Sequence, residues 1–128
     1  MGLSVADLVW VKDDGPEVAD VFPAPERLVR GPAAQQVWVH YADPSGAYCV
    51  GIWACQDGAW RVQYTEHEYC QMLQGLVRLT DDQGASVELQ AGDSFVIPAG
   101  FTGTWDVLQP ARKVFALYEP AAAPEATV

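Results

Sequence analysis

Residues 92–105 read GDSFVIPAGFTGTW, and the fold is decided by how this stretch is read. Gly92-Asp93 predicts a turn, Ser94 to Ile97 alternates as a short strand, and Pro98-Ala99-Gly100 presets a second tight turn. Proline fixes φ and glycine tolerates positive φ, so the corner is specified locally. A further strand is expected from about Gly103, carrying Trp105. Two strands joined at a sharp, specified corner are what all-β barrels use to present ligand-facing groups.

The same turn-bounded alternation runs through the rest of the chain. Gln36 to Tyr41 places Val37, Val39 and Tyr41 opposite Trp38 and His40, and Asp43-Pro44-Ser45-Gly46 turns the chain into a strand from Tyr48 to Trp53. Trp60 to Tyr64 and Glu68 to Leu73 follow with period two, Gln74-Gly75 interrupts, and Leu76 to Thr80 resumes. Asp81-Asp82-Gln83-Gly84 predicts a hairpin into Val87 to Leu89, and Lys113 to Tyr118 supplies the last strand. No apolar helical period persists for three turns, so a single all-β domain is expected over residues 35–119. Residues 1–34 read as an irregular arm, with an edge strand at Leu8 to Val11, a turn at Asp13 to Pro16, and Pro23, Pro25 and Pro32 as punctuation. Its apolar Val18, Val21, Phe22, Leu28 and Val29 imply that it wraps over the domain or reaches a neighbouring subunit. Residues 120–128 read as a loose tail.

Seventeen acidic against seven basic residues give a net charge of −10, which disfavours phosphate backbones and anionic lipid. Neither nucleic acid nor a membrane is an expected partner. No apolar run reaches the length of a membrane-spanning helix and the N-terminus lacks a leader pattern, so a cytoplasmic location is expected. Cys49, Cys55 and Cys70 form no CxxC pair and read as buried, reduced thiols.

Gly92, Pro98 and Gly100 stand at the spacing of the second motif of the cupin superfamily, and Glu68 and Gly75 at that of the second half of the first. The phrases GIWACQDGAWRVQYTEHEYCQMLQG, RLTDDQG, AGDSFVIPAGFTGTWDV and ARKVFALYE extend the likeness over roughly residues 46–119. In this the chain resembles the small single-domain cupins grouped with (S)-ureidoglycine aminohydrolase. The resemblance implies a double-stranded β-helix, or jelly-roll barrel, behind an irregular N-terminal arm. The resemblance implies that the family's metal-ligand positions fall here on Val62 and Tyr64 (or on Arg61 and Gln63 if the longer spacer of the first motif is used), Glu68 and Gly103, of which Glu68 alone could coordinate a metal in the ordinary way. No cofactor and no firmly held metal are therefore expected, a divalent ion being conceivable only through Glu68.

Strand parity puts Glu68, Cys70 and Met72 on one face and His67, Tyr69, Gln71 and Leu73 on the other. The resemblance implies that Glu68 faces inward. There its carboxylate needs a cation or a hydrogen-bond donor, for which Arg61 and Lys113 are candidates. The candidate site comprises Glu68 as acid/base or polar anchor, Tyr64 as hydrogen-bond donor and Trp105 as stacking surface, with Arg61, Gln63, Cys70 and Met72 as further ligand contacts. The competing interpretation is a glutamate satisfied by Arg61, Tyr64 or a backbone N–H as part of the fold. Gly103 leaves room for a ligand or a neighbouring side chain. His67 and Cys70 point to opposite faces, and His40 stands alone. Three functions stay open: a metal-independent barrel that binds a small polar molecule, an aminohydrolase-type enzyme for a nitrogen-rich substrate, and a structural or regulatory protein. Exposed strand edges and the apolar arm predict a homodimer.

Overall fold

Apolar and polar residues alternate along nine strands of one curled antiparallel sheet in a computed structural model that describes residues 2–12, 15 and 17–120. The strands are β1 (Ala19–Val21), β2 (Leu28–Arg30), β3 (Gln35–Ala42), β4 (Tyr48–Cys55), β5 (Gly58–Gln63), β6 (His67–Asp81), β7 (Ser86–Gln90), β8 (Ser94–Ile97) and β9 (Thr102–Tyr118). β9 is the spine. One edge pairs with β6 along its length, from Tyr118 opposite His67 to Gly103 opposite Asp81. The other edge pairs with β5 through its first half and with β4 through its second. β3 and β1 extend the sheet beyond β4, β2 extends it beyond β5, and β7 and β8 pair with β6. No helix among the described residues is long and apolar enough to cross a membrane.

The strands predicted from Gly103 and from Lys113 are one strand of 17 residues that runs through Pro110. Proline lacks the N–H that a ladder needs. The neighbouring strand accommodates it with a register shift around Gln74 and Leu76, where Gly75 takes φ +92° and lets the Pro110 carbonyl oxygen within 2.2 Å of where a Cβ would stand. The expected break at Gln74-Gly75 is thus a bulge inside a continuous β6.

The arm also differs from expectation. β1 pairs with β3 and β2 with β5, so residues 19–30 add two short strands to the sheet. Leu8 to Val11 is not a strand; the chain before it forms a short 3-10 turn, Val5–Asp7, capped by the Ser4 hydroxyl. Of the expected turn at residues 13–16 only Gly15 lies among the described residues, and residues 121–128 of the tail lie outside them.

The opening corner forms as its residues dictate. Gly92 and Gly100 take φ +95° and +101°, and the Asp93 carboxylate accepts the Gln90 N–H at 2.8 Å. Past the corner, the Gly100 N–H donates to the Tyr64 carbonyl at 2.7 Å and the Tyr64 N–H to the Phe101 carbonyl at 2.8 Å. The corner therefore fixes the backbone that carries Tyr64. Inside the curl, Trp53, Trp60, Met72, Val77, Leu79, Trp105, Val107 and Phe115 form one buried cluster.

Candidate functional site

Four strands deliver the inward groups in successive rows. β6 and β9 place Glu68 opposite Leu117, Cys70 opposite Phe115 and Met72 opposite Lys113, while β4 sets Trp53 against Lys113 from the other side. β5 adds Trp60 opposite Trp105 and Val62 opposite Gly103. The Lys113 side chain reaches past the Cys70 row to Glu68.

A continuous polar network results, buried in an aromatic enclosure. The Lys113 ammonium donates to Glu68 Oε2 at 2.8 Å and to Cys70 Sγ at 3.4 Å, and lies 4.3 Å from the Trp105 ring centroid and 4.8 Å from that of Trp53. The Tyr64 hydroxyl donates to Glu68 Oε1 at 2.6 Å and accepts the Trp105 indole N–H at 3.0 Å. Trp53 donates its indole N–H to Gln35 at 2.8 Å. Glu68 is 6% exposed and Lys113 4%, so this is a buried ion pair in which each oxygen of the carboxylate has its own donor.

Burial opposes the Lys113 charge, but the Glu68 carboxylate, with Cys70, outweighs it and holds the ammonium's pKa above the ordinary lysine value. Burial, with the adjacent Glu68 charge, drives the Tyr64 phenol far above its usual value. Burial likewise pushes the Cys70 thiol up to about 12 despite the nearby Lys113 charge, so it is protonated and unreactive at neutral pH.

The network forms one wall of a cavity of about 330 Å³. The remaining walls are Val37, Trp53, Trp60, Val62, Phe115 and Leu117, with Val21, Gln35 and Glu66 also on the lining. A second hollow, of about 580 Å³, lies among Pro32, Gln56, Gln74 and Pro110 and contains none of the network.

Of the residues expected at the site, the fold brings Tyr64, Glu68, Cys70, Met72 and Trp105 together. Tyr64, Glu68 and Trp105 line the cavity, whereas Cys70 and Met72 are buried in the packing. Arg61 and Gln63 are exposed and have the opposite parity to Val62, and Arg61 is engaged by Asp82 at 2.6 Å and Thr104 at 3.2 Å. The cation that compensates Glu68 is therefore Lys113. The Tyr64 hydroxyl spends its one hydrogen-bond donor on Glu68, and one face of Trp105 already carries the ammonium. The sequence reading missed Trp53, Trp60 and Glu66 as wall residues. Lys113 could have been placed inside by counting back in steps of two from Phe115.

His67 lies on the outer face, stacked on Tyr118 and accepting the Ala99 N–H at 3.1 Å. His40 contacts the Trp38 carbonyl at 3.1 Å and does not line the cavity. The space beside Gly103 is filled: a Cβ there would meet the Thr80 carbonyl oxygen at 2.1 Å and the Phe101 ring at 2.9 Å.

Residues 42–115 match the EutQ-like cupin domain. The chain belongs to the EutQ-like cupin family. Its fold is similar to that of a protein of unknown function of the DUF861 family from Pseudomonas syringae pv. tomato, at 18% identity over 79% of this chain with a TM-score of 0.72. This cupin spans 44% of that protein's length. The Clostridium difficile EutQ protein is similar at 16% identity, covering 73% of this chain and 68% of its own, with a TM-score of 0.61. A putative ethanolamine utilization protein Q from Salmonella typhimurium is similar at 14% identity, covering 84% of this chain and 98% of its own, with a TM-score of 0.62. At such identities the likeness is one of fold. No curated protein matches the chain. The donor set does not fit the metal that the resemblance to metal-binding cupins implies. Among Val62, Tyr64, Glu68 and Gly103 there is one carboxylate, it is held by an ammonium, and no side chain fits at Gly103.

Proposed function

We propose that this cupin binds a small organic molecule in the cavity beside the Lys113–Glu68–Tyr64–Trp105 network, without a resident metal. The observation that carries this reading is the cavity of about 330 Å³, bounded by that network on one side and by aromatic and aliphatic walls on the others. Small-molecule sites have this size and this ratio of many apolar walls to few fixed polar groups. The polar groups are held before a ligand arrives, so binding requires little ordering of side chains. Each Glu68 oxygen accepts one hydrogen bond inside the network and keeps a lone pair for a ligand donor. That arrangement supports Glu68 as an anchor. The alternative reading, an aminohydrolase-type enzyme for a small nitrogen-rich substrate, would instead use Glu68 for proton transfer, a role that its two tight partners make less accessible.

Protein purified without a tag and denatured by heat should release a small molecule detectable by mass spectrometry. The folded Val62→Phe variant, with its cavity filled, should release none. Equal yields from both proteins, or no retained molecule together with no fluorescence response to a panel of small polar compounds, would remove the reading. A stoichiometric transition metal by elemental analysis would overturn its metal-independent part.

A further inference from the structure

Charge on the cavity lining is unbalanced. Three charged side chains line it, Glu66, Glu68 and Lys113. Glu68 and Lys113 neutralise each other at 2.8 Å. The Glu66 carboxylate accepts only from the Thr65 N–H at 3.1 Å and the Thr65 hydroxyl at 3.4 Å, and among the described residues it joins no ion pair. The lining thus carries one negative charge, on a chain whose net charge of −10 adds a long-range pull on cations. The ring faces of Trp53 and Trp105 serve Lys113, but no cation of the described residues is seated over Trp60. An indole without a cation, that of Trp60, on the same lining as an uncompensated carboxylate is the chemistry that binds organic cations.

We propose that the ligand is a small organic cation, its ammonium or amidinium group matched to Glu66 and its body lying against the aromatic and aliphatic walls. This inference rests on the cavity being a ligand site. Glu68 deepens the match, since its spare lone pairs accept N–H donors. The opposing arrangement, an anionic ligand, would draw on Arg27, which lines the adjoining groove with Glu66; Arg61 in that groove is committed to Asp82.

Three probes of nearly equal shape test this: benzylammonium, benzyl alcohol and benzoate, titrated against the folded protein with tryptophan fluorescence as the readout. Benzylammonium should bind about tenfold more tightly than benzyl alcohol, with benzoate weakest. Glu66→Gln should erase the preference for the ammonium and leave the alcohol unchanged, while Arg27→Gln should leave the order intact. If the alcohol binds as well as the ammonium, or if benzoate binds best and Arg27→Gln weakens it, the cation is wrong and the cavity site stands. If none of the three binds to wild type, or if Val62→Phe binds all three as well as wild type does, the cavity reading fails and this inference with it.

Discussion

Lys113 shows how an inward charge is tolerated in a largely apolar enclosure. Its ammonium is surrounded by one carboxylate, one thiol and two indole faces, so its removal strands Glu68. Lys113→Met should lower unfolding stability by about 3–5 kcal/mol, and adding Glu68→Gln should recover much of that, as read by urea denaturation. A single variant as stable as wild type would show that the pair is not buried in solution. The same residues set an alkaline limit. Cys70, Tyr64 and Lys113 all hold their protons in the folded state beyond the ordinary values of 9.0, 10.0 and 10.5, so above pH 9.0 the unfolded chain releases protons that the folded chain keeps. Stability contributed by these groups is complete below that pH and falls as pH rises through 9.0 to 10.5 and beyond. Urea midpoints at pH 7.5, 9 and 10.5 should descend in that order, and Cys70→Ala should delay the first part of the descent. Lys113 was hard to read from sequence because Arg112-Lys113 looks like a solvated basic pair; the Arg61 alternative had equal charge and failed only on parity.

Among the elements, the pairing of Pro110 with Gly75 carries the long β6–β9 ladder. Gly75→Ala would push a methyl group to 2.2 Å from the Pro110 carbonyl oxygen and force a non-glycine residue to φ +92°. It should cost more than about 3 kcal/mol. Gly100→Ala, at φ +101° with nothing within 4 Å, should cost only about 1 kcal/mol, and the gap in thermal midpoint between the two separates crowding from backbone strain. Turns were the legible part of the fold: Gly46, Gly84, Gly92 and Gly100 all adopt the positive φ that their settings demanded. Continuity was not legible, because Gly75 and Pro110 each signal a break in isolation and cancel only when opposed across the ladder. The short strands β1 and β2 were hidden for a related reason, since three residues hold no period of their own and form only because β3 and β5 offer an edge.

At the level of the whole molecule, the outer face of the sheet holds part of the exposed apolar surface, beside the N-terminal residues Leu3, Val5, Leu8 and Trp10. Two rows across β4, β9 and β6 read Tyr48–Tyr118–His67 and Val50–Ala116–Tyr69, and Val96 of β8 continues the second. Tyr48, Tyr69, Val96 and Tyr118 are exposed. On a chain of net charge −10 these rows contain no acidic residue, so they are a place where two copies can meet without repulsion, whereas a basic partner would seek the acidic surface. We propose that this face pairs with its copy. Sedimentation should give twice 13.9 kDa, and Tyr69→Glu with Val96→Glu should give monomers that keep the fold. A wild-type mass of 13.9 kDa would refute the dimer.

The paired bonds between Tyr64 and the corner at Gly100 and Phe101 make the cavity's boundary uneven in its resistance to opening. On that side two short backbone bonds tie the boundary to the Glu68 network, whereas on the Val21 side it rests on the three residue pairs of β1 with β3. Amide protons of residues 19–21 should exchange with solvent well before those of Tyr64 and Phe101. For the proposed ligand the consequence is kinetic: β1 carries the lining residue Val21, so fraying of so short a strand would open the cavity on that side more often than on the Tyr64 side.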